Sequence, residues 1–314
     1  MVDSKKSWKA WLYLSPAIVL LLIFTAWPIV NTVIMALSEG YNAMSAVSGV
    51  KFNFGFKNFV DVINYGDFLT YLWNTILLCF LTVPLSTLLA LIIAVCLNAI
   101  KPFQRLLQTI FFLPYVTNSI AIGMVFAAMF NMVGNNFGDP NELVITAGII
   151  NNVIEFFGGE RINWINVGSS YAANMFVMTV YIVWNALPFK ILVLLGGLQS
   201  VNKQYYEAAK VDGTSRLRTF TRITVPLLSP MITYVVITGF IGGFKEYSSI
   251  VGPIFGAKMG PTGDPDRLNT MVGYIYKSLS LQPGRASAAA LILFAIIFVV
   301  TLLNLYISKK NTHY

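Results

Sequence analysis

The chain has 314 residues, of which 56% are hydrophobic and only 11% charged, against roughly 25% charged residues in a soluble domain. That leaves too little polar surface to coat a water-soluble globule of this length, so lipid must cover much of it. The formal charge of +8 does not point to nucleic acid, because the bases flank apolar stretches and no aromatic-rich basic module accompanies them.

A spanning helix needs about 20 mostly apolar residues, and six stretches qualify: about 11–37, 69–100, 106–132, 169–198, 226–253 and 286–308. The expected fold is therefore all-α, a polytopic membrane protein with six transmembrane helices. A tail, 1–10, precedes the membrane domain, 11–308, and a second tail, 309–314, follows it. Lys5, Lys6 and Lys9 precede the first stretch as they would in a signal peptide. However, the uncharged run from Ala10 to Ser38 far exceeds an h-region of about 7–15 residues. No convincing cleavage site closes it, and it reads as a retained helix.

The bases set the orientation. With both termini on the cytoplasmic side, the inner segments hold twelve Lys and Arg against three acids, and the outer loops hold seven against nine. This is the positive-inside asymmetry, and it places the protein in the cytoplasmic (inner) membrane with its long loops 39–68, 133–168 and 254–285 outside. Pro28, Pro84, Pro114 and Pro188 fall within spans and predict bends, since a missing N–H must be made good locally. Asn74, Asn118, Asn174 and Asn185 bring amides to membrane depth. Gly239-x-x-x-Gly243 and the small-residue run 286–290 permit close helix approach. No internal repeat marks the inverted symmetry of many secondary transporters.

Chemistry-bearing residues are few. Cys79 and Cys96 lack partners at metal-ligand spacing and read as small buried hydrophobes. The single histidine, His313, excludes a catalytic or metal-binding His cluster, and an intramembrane enzyme finds no nucleophile–base pair. Three charges lie inside spans: Lys190, Lys245 and Glu246. Lys190 is near enough to the inner end of the fourth span to snorkel. Lys245 and Glu246 are expected near the middle of the fifth span, where ionisable groups usually face protein or water. Lys190, Lys245 and Glu246 are candidates for a substrate path, with Asn185, Tyr247 and Ser248 as hydrogen-bonding support.

The inner connection 199–226 is the most informative segment. Lys203–Val211 suits a short helix with Asn202 as its cap. Gly213 sits where a left-handed C′ residue is needed. Thr214 or Ser215 can cap a second helix through Arg222, and Pro226 falls at the first turn of the next span. Ala208 and Ala209 leave a smooth face beside Glu207. Such a hairpin fits a protein partner or a bed of lipid headgroups equally well.

The spacing Glu207-Ala208-Ala209, Gly213, Ile223, Val225-Pro226 resembles the EAA motif of ABC importer permeases, with Val225 in place of the usual Leu. Trp184-Asn185, Gly197-Leu198-Gln199-Ser200, Trp73-Asn74-Thr75 and Phe112-Leu113-Pro114 resemble the carbohydrate-type subfamily that includes the maltose permeases, over about 71–310. Val251-Gly252-Pro253 keeps one glycine where that family often has two. The extra spans and large outer domain of some maltose permeases are missing. The resemblance implies that Glu207, Ala208, Ala209, Asp212, Gly213, Ile223 and Pro226 couple the chain to an ATPase. It implies as partners two ABC ATPase subunits, a second homologous permease, an extracytoplasmic solute-binding protein and a sugar substrate. This chain has no G-x-x-x-x-G-K-[ST] segment, and Leu195–Gln199 is a decoy for an ATPase signature. It is expected to bind no cofactor of its own, with ATP-Mg on the partner subunits. A self-sufficient secondary transporter or channel is the competing expectation, but it gives no reason for the Glu207–Pro226 spacing.

Overall fold

A computed structural model of the protein describes residues 7–44, 52–100, 104–133, 146–246, 254–255 and 258–311. The elements in chain order are α1 (Ser7–Leu21), a π turn (Leu22–Ala26), α2 (Trp27–Leu37), α3 (Lys57–Ile63), α4 (Phe68–Ala99), α5 (Gln104–Val116) and α6 (Ser119–Phe130). A two-residue antiparallel pair, β1 (Met132–Val133) and β2 (Thr146–Ala147), and an isolated bridge between Ser38 and Phe54 are the departures from an all-helical pattern among the described residues. There follow α7 (Ile149–Phe156), α8 (Tyr171–Ser200), α9 (Gln204–Val211), α10 (Arg216–Thr219), a second π turn (Phe220–Thr224), α11 (Val225–Leu227), α12 (Ser229–Phe244), α13 (Met271–Leu279) and α14 (Pro283–Asn311).

Among the described residues, four helical stretches are long and apolar enough to cross a membrane unaided: Trp11–Leu37, Phe68–Ala99, Tyr171–Ser200 and Pro283–Ser308. The count rises to six when each of two bent pairs is taken as one span, Leu106–Val116 with Ile120–Phe130 and Arg216–Leu227 with Ser229–Phe244. The third predicted span is therefore interrupted, and the break is at Asn118 rather than at Pro114. The backbone of Asn118 is extended (ψ 122°) and its side chain accepts from the Ile120 N–H, which starts a new helix. The fifth predicted span is also shorter than expected: α12 ends at Phe244. Of the two cysteines only Cys79 is buried; Cys96 is exposed on α4, on an apolar surface that suits lipid.

The chain forms two compact units. The first comprises 1–69 and 271–295. Its long N-terminal helix is almost wholly exposed, as a lipid-facing helix is, and the unit is organised at the helix end. There the buried Asn58 on α3 donates to the Ala36 and Ser38 carbonyls at 3.0 and 2.7 Å, satisfying carbonyls that α2 leaves open. Arg285 at the start of α14 pairs with Asp61 at 2.8 Å. Gly284 passes so close to Tyr41 that a Cβ there would lie 2.9 Å from its carbonyl.

The second unit comprises 70–270 and 296–314. One apolar cluster gathers Leu78, Phe126, Phe130, Met178, Tyr181 and Leu268, and another gathers Ala90, Leu91, Leu194, Leu198, Leu228 and Val235. α4 and α12 touch through glycine. A Cβ on Gly243 would sit 2.9 Å from Cys79 Sγ, and one on Gly239 would sit 3.0 Å from Val83 Cγ1. Close backbone approach of this kind substitutes for the hydrophobic drive that lipid cannot supply. Gly242, one residue earlier, faces open space. Gly243→Leu is accordingly expected to lower the melting temperature of the detergent-solubilised protein, at an overpacking cost of about 1–3 kcal/mol. Gly242→Ala should leave it nearly unchanged, and a parallel thermal melt of the two variants checks this.

Candidate functional site

The hairpin between α8 and α12 is built almost entirely by local rules. The Asn202 side chain accepts the Gln204 N–H at 3.0 Å and so caps α9 as the sequence predicts. At the other end Gly213 takes φ +65°, the Gly213 N–H reaches the Lys210 carbonyl and the Thr214 N–H reaches the Ala209 carbonyl. These are the two bonds of a Schellman stop, which needs a residue free to be left-handed. Ser215 then caps the second arm, with its side chain accepting from Arg218 N–H.

That second arm differs from its predicted form. Helix continues past Arg222 to Leu227, and Pro226 lies inside it, not at the first turn of the next span. The π turn Phe220–Thr224 makes this possible: Val225 N–H bonds back to Phe220, shifting the ladder by one residue just before the proline that cannot donate. The chain then bends by 68° and α12 begins at Ser229. Leu228, at the bend, is buried.

Glu207, Ala208, Asp212, Gly213 and Pro226 are exposed, Ile223 is half-buried, and Ala209 is only 5% exposed. The smooth face expected of the two alanines is thus divided: Ala208 looks outward and Ala209 is packed inward. Tyr206, three residues before Ala209 and hence on its side of α9, receives a hydrogen bond from the buried Thr224 hydroxyl at 3.4 Å. This brace between the arms was missed in the sequence, although the 206/209 spacing carries it. Val211 and Leu217 are 88% and 73% exposed beside Arg216 and Arg218, giving an apolar tip rimmed with positive charge.

The candidate path residues do not form one cluster. Lys190 does not snorkel: it is 5% exposed, and its ammonium donates to Ser86 Oγ (2.7 Å), Thr87 Oγ1 (2.9 Å) and the Val83 carbonyl (3.2 Å) on α4. Its three donors are all used. Ser86 and Thr87 spend their own protons on carbonyls one turn back, leaving oxygen lone pairs for the lysine. Gly239 leaves the room this needs, since a Cβ there would come 3.3 Å from Lys190 Nζ. Lys245 and Glu246 are not in mid-helix either. The run Gly242–Gly243 weakens helix at the end of α12, and Lys245 is its C-cap. Lys245 is exposed and Glu246 is half-buried. Asn185 is half-buried on α8, and Tyr247 and Ser248 lie outside the described residues. A further polar node went unanticipated: Asn74 donates to the Arg267 and Asn269 carbonyls and accepts from Tyr171, while Arg267 bonds the Ser169 carbonyl.

The chain is thus a polytopic helical protein of membrane type, with a capped and braced hairpin between α8 and α12. The comparisons agree: residues 83–313 match the binding-protein-dependent transport system inner membrane component family, and the chain belongs to it. It is 28% identical over 309 residues to the arabinooligosaccharides transport system permease protein AraP of Bacillus subtilis, covering 97% of this chain and 90% of that one. It is 28% identical over 295 residues to the lactose transport system permease protein LacF of Rhizobium radiobacter, covering 94% and 91%. A crystal structure of a bacterial ABC transporter involved in the import of the acidic polysaccharide alginate shares the fold, with TM-score 0.77 and 21% identity over 98% of both chains. The family is a permease component of importers, and a self-sufficient transporter or channel is not retained.

Two outcomes follow from this geometry. Gly213→Val forces a β-branched residue to φ > 0 and should speed hydrogen exchange across 204–214, whereas Gly213→Asn, which tolerates that conformation, should stay close to wild type. Around Lys190, removing the acceptors is expected to cost more than removing the charge. The pair Ser86→Ala with Thr87→Val strands a buried ammonium and should destabilise by about 3–5 kcal/mol, and Lys190→Met by clearly less, as read from thermal melts.

Proposed function

We propose that this permease carries sugars or oligosaccharides, delivered by an extracytoplasmic solute-binding protein, and is driven by ATP hydrolysis in two separate ABC ATPase subunits. A second homologous permease completes the pathway. Both termini and the α9–α11 hairpin face the cytoplasm, in the cell's inner membrane, as the distribution of Lys and Arg favours. ATP-Mg belongs to the ATPase subunits.

The observation that carries the reading is the hairpin. Glu207, Ala208, Asp212 and Gly213 are exposed along a helix whose other side is braced by Tyr206 and Ala209. A rigid knob of this kind can enter a groove on a partner with little loss of conformational entropy. The two α9–α11 hairpins of a permease pair would pass closure of the ATPase dimer to the spans, a two-state element biased from one side by nucleotide and from the other by the loaded binding protein. The carbohydrate assignment is supported by the names of the relatives and by the subfamily motifs.

For the path itself, Lys245, Glu246, Tyr247 and Ser248 follow α12, and Asn185 lies on α8. Lys190, with its three donors already used, is assigned to holding α4 and α8 together. Glu207→Lys and, separately, Ala208→Asp should abolish ATP-driven uptake of radiolabelled oligosaccharide into proteoliposomes holding the whole importer, and should weaken co-purification of the ATPase. Full uptake in both would remove the coupling role from this hairpin. Lys245→Met with Glu246→Gln should lower uptake while leaving assembly intact, and unchanged uptake would take the two residues off the path.

A further inference from the structure

α7 (Ile149–Phe156) is amphipathic in the wrong sense for a helix bathed in water. Its polar Asn151 is 1% exposed, whereas Ile149, Val153 and Phe156 are 57%, 49% and 85% exposed. Those three positions recur at i, i+4 and i+7, on one face. Phe157, just past the helix end, extends the stripe at 81% exposure and packs edge-on against Phe156. Eight residues are far too few to cross a bilayer. Asn152, at the flank of this face, turns its amide back to the Ala147 carbonyl at 3.2 Å, so the outward face is mainly apolar while the other amide is turned inward, which indicates an apolar medium outside the protein.

The inward face fixes where that medium is. The Asn151 side chain is fully engaged: it donates to the Ile162 carbonyl at 3.0 Å and accepts from the Ile162 N–H and the Trp164 indole N–H, both at 3.1 Å. Trp164 in turn packs on Phe130, the last residue of α6, and on Phe176 in the second turn of α8. The preceding Gly148 donates to the Asn131 carbonyl at 2.8 Å, and a Cβ at Gly148 would fall 2.3 Å from the Met129 carbonyl. α7 is thus pinned to the terminus of one membrane helix and the first turns of the next, at the level where a tryptophan with an engaged indole N–H marks the membrane boundary. The ion pair Arg161–Glu155 (2.8 Å) lies off the stripe. The exposed apolar face of α6, with Ile120, Met124 and Val125, leads up to it.

We propose that α7 is an interfacial helix, its Ile149–Val153–Phe156 face seated in the headgroup–acyl boundary of the bilayer. It lies at the end of α8 opposite the α9–α11 hairpin, about 45 Å away along 30 helical residues. The occupant of this face is lipid. The inference needs only a membrane-spanning chain, so it stands or falls separately from the sugar and coupling roles.

The test is spin-label accessibility. Cys79→Ala and Cys96→Ala clear the thiols of this chain, and the same preparation without an introduced cysteine gives the background from the other subunits. Val153→Cys, Phe156→Cys and, as a control off the stripe, Glu155→Cys then carry a nitroxide in the importer purified through this chain and reconstituted in phosphatidylethanolamine–phosphatidylglycerol liposomes. Collisions with oxygen, which partitions into lipid, should exceed those with a water-soluble nickel chelate at 153 and 156, and the ratio should invert at 155. Chelate collisions dominating at 153 and 156 would place the stripe in water. Suppression of both reagents there would place it under a neighbouring protein subunit. Either result overturns the proposal.

Discussion

Inside a bilayer a polar group has no water to bond, so each one must find its partner within the protein. Much of the detail of this chain answers that demand. The same device meets it twice where proline removes a donor. The π turns Leu22–Ala26 and Phe220–Thr224 each end two residues before a proline, Pro28 and Pro226, and in each the next residue donates back across the widened turn, Trp27 to Leu22 and Val225 to Phe220. On α4 the hydroxyls of Thr75, Thr82, Ser86 and Thr87 return to carbonyls of the preceding turn. Lys190 then takes lone pairs left over on two of them, Ser86 and Thr87. An ammonium is tolerated in the interior because three acceptors and a missing side chain at Gly239 were already arranged around it.

The same demand divides the chain into parts that packing holds and parts that caps hold. α4, α8 and α12 are locked by glycine contacts and by the lysine. The hairpin has little core and depends on Asn202, Gly213, Ser215 and the Tyr206–Thr224 bond. Its shape is therefore set by a few residues whose chemistry is local, while its exposed surface remains free to carry recognition.

That division explains what could be read in advance. Span positions came through hydropathy, because lipid selects on composition over about 20 residues and is indifferent to detail. The hairpin's caps and its left-handed glycine were legible because each depends on neighbours in sequence. Breaks were not. Asn118, an amide expected to pack within a span, proved to be a helix cap, and Pro226 was accommodated within a helix by a π turn that no propensity announces. Lys190 was misread because its three acceptors sit about a hundred residues away, on α4. Lys245 and Glu246 were expected in mid-helix because the hydrophobic run continues beyond them, whereas α12 ends first, after its glycines. The inverted face of α7 was hidden by ordinary-looking composition; only the burial of Asn151 shows which side is in.

Leu228 offers a last consequence. It is almost wholly enclosed among Leu194, Leu198 and their neighbours, and it is the point at which the helix carrying Pro226 turns by 68° into α12. The corner is hydrogen-bonded on both sides: the Leu228 N–H donates to the Thr224 carbonyl before it, and the Leu228 carbonyl accepts from the Ile232 N–H after it. Under the proposed coupling role, a load on α9 would not run along the axis of α12. It would arrive as a torque about this corner, so that a sideways displacement at the hairpin would become a rotation of α12, carried toward Lys245 at its C-terminal end.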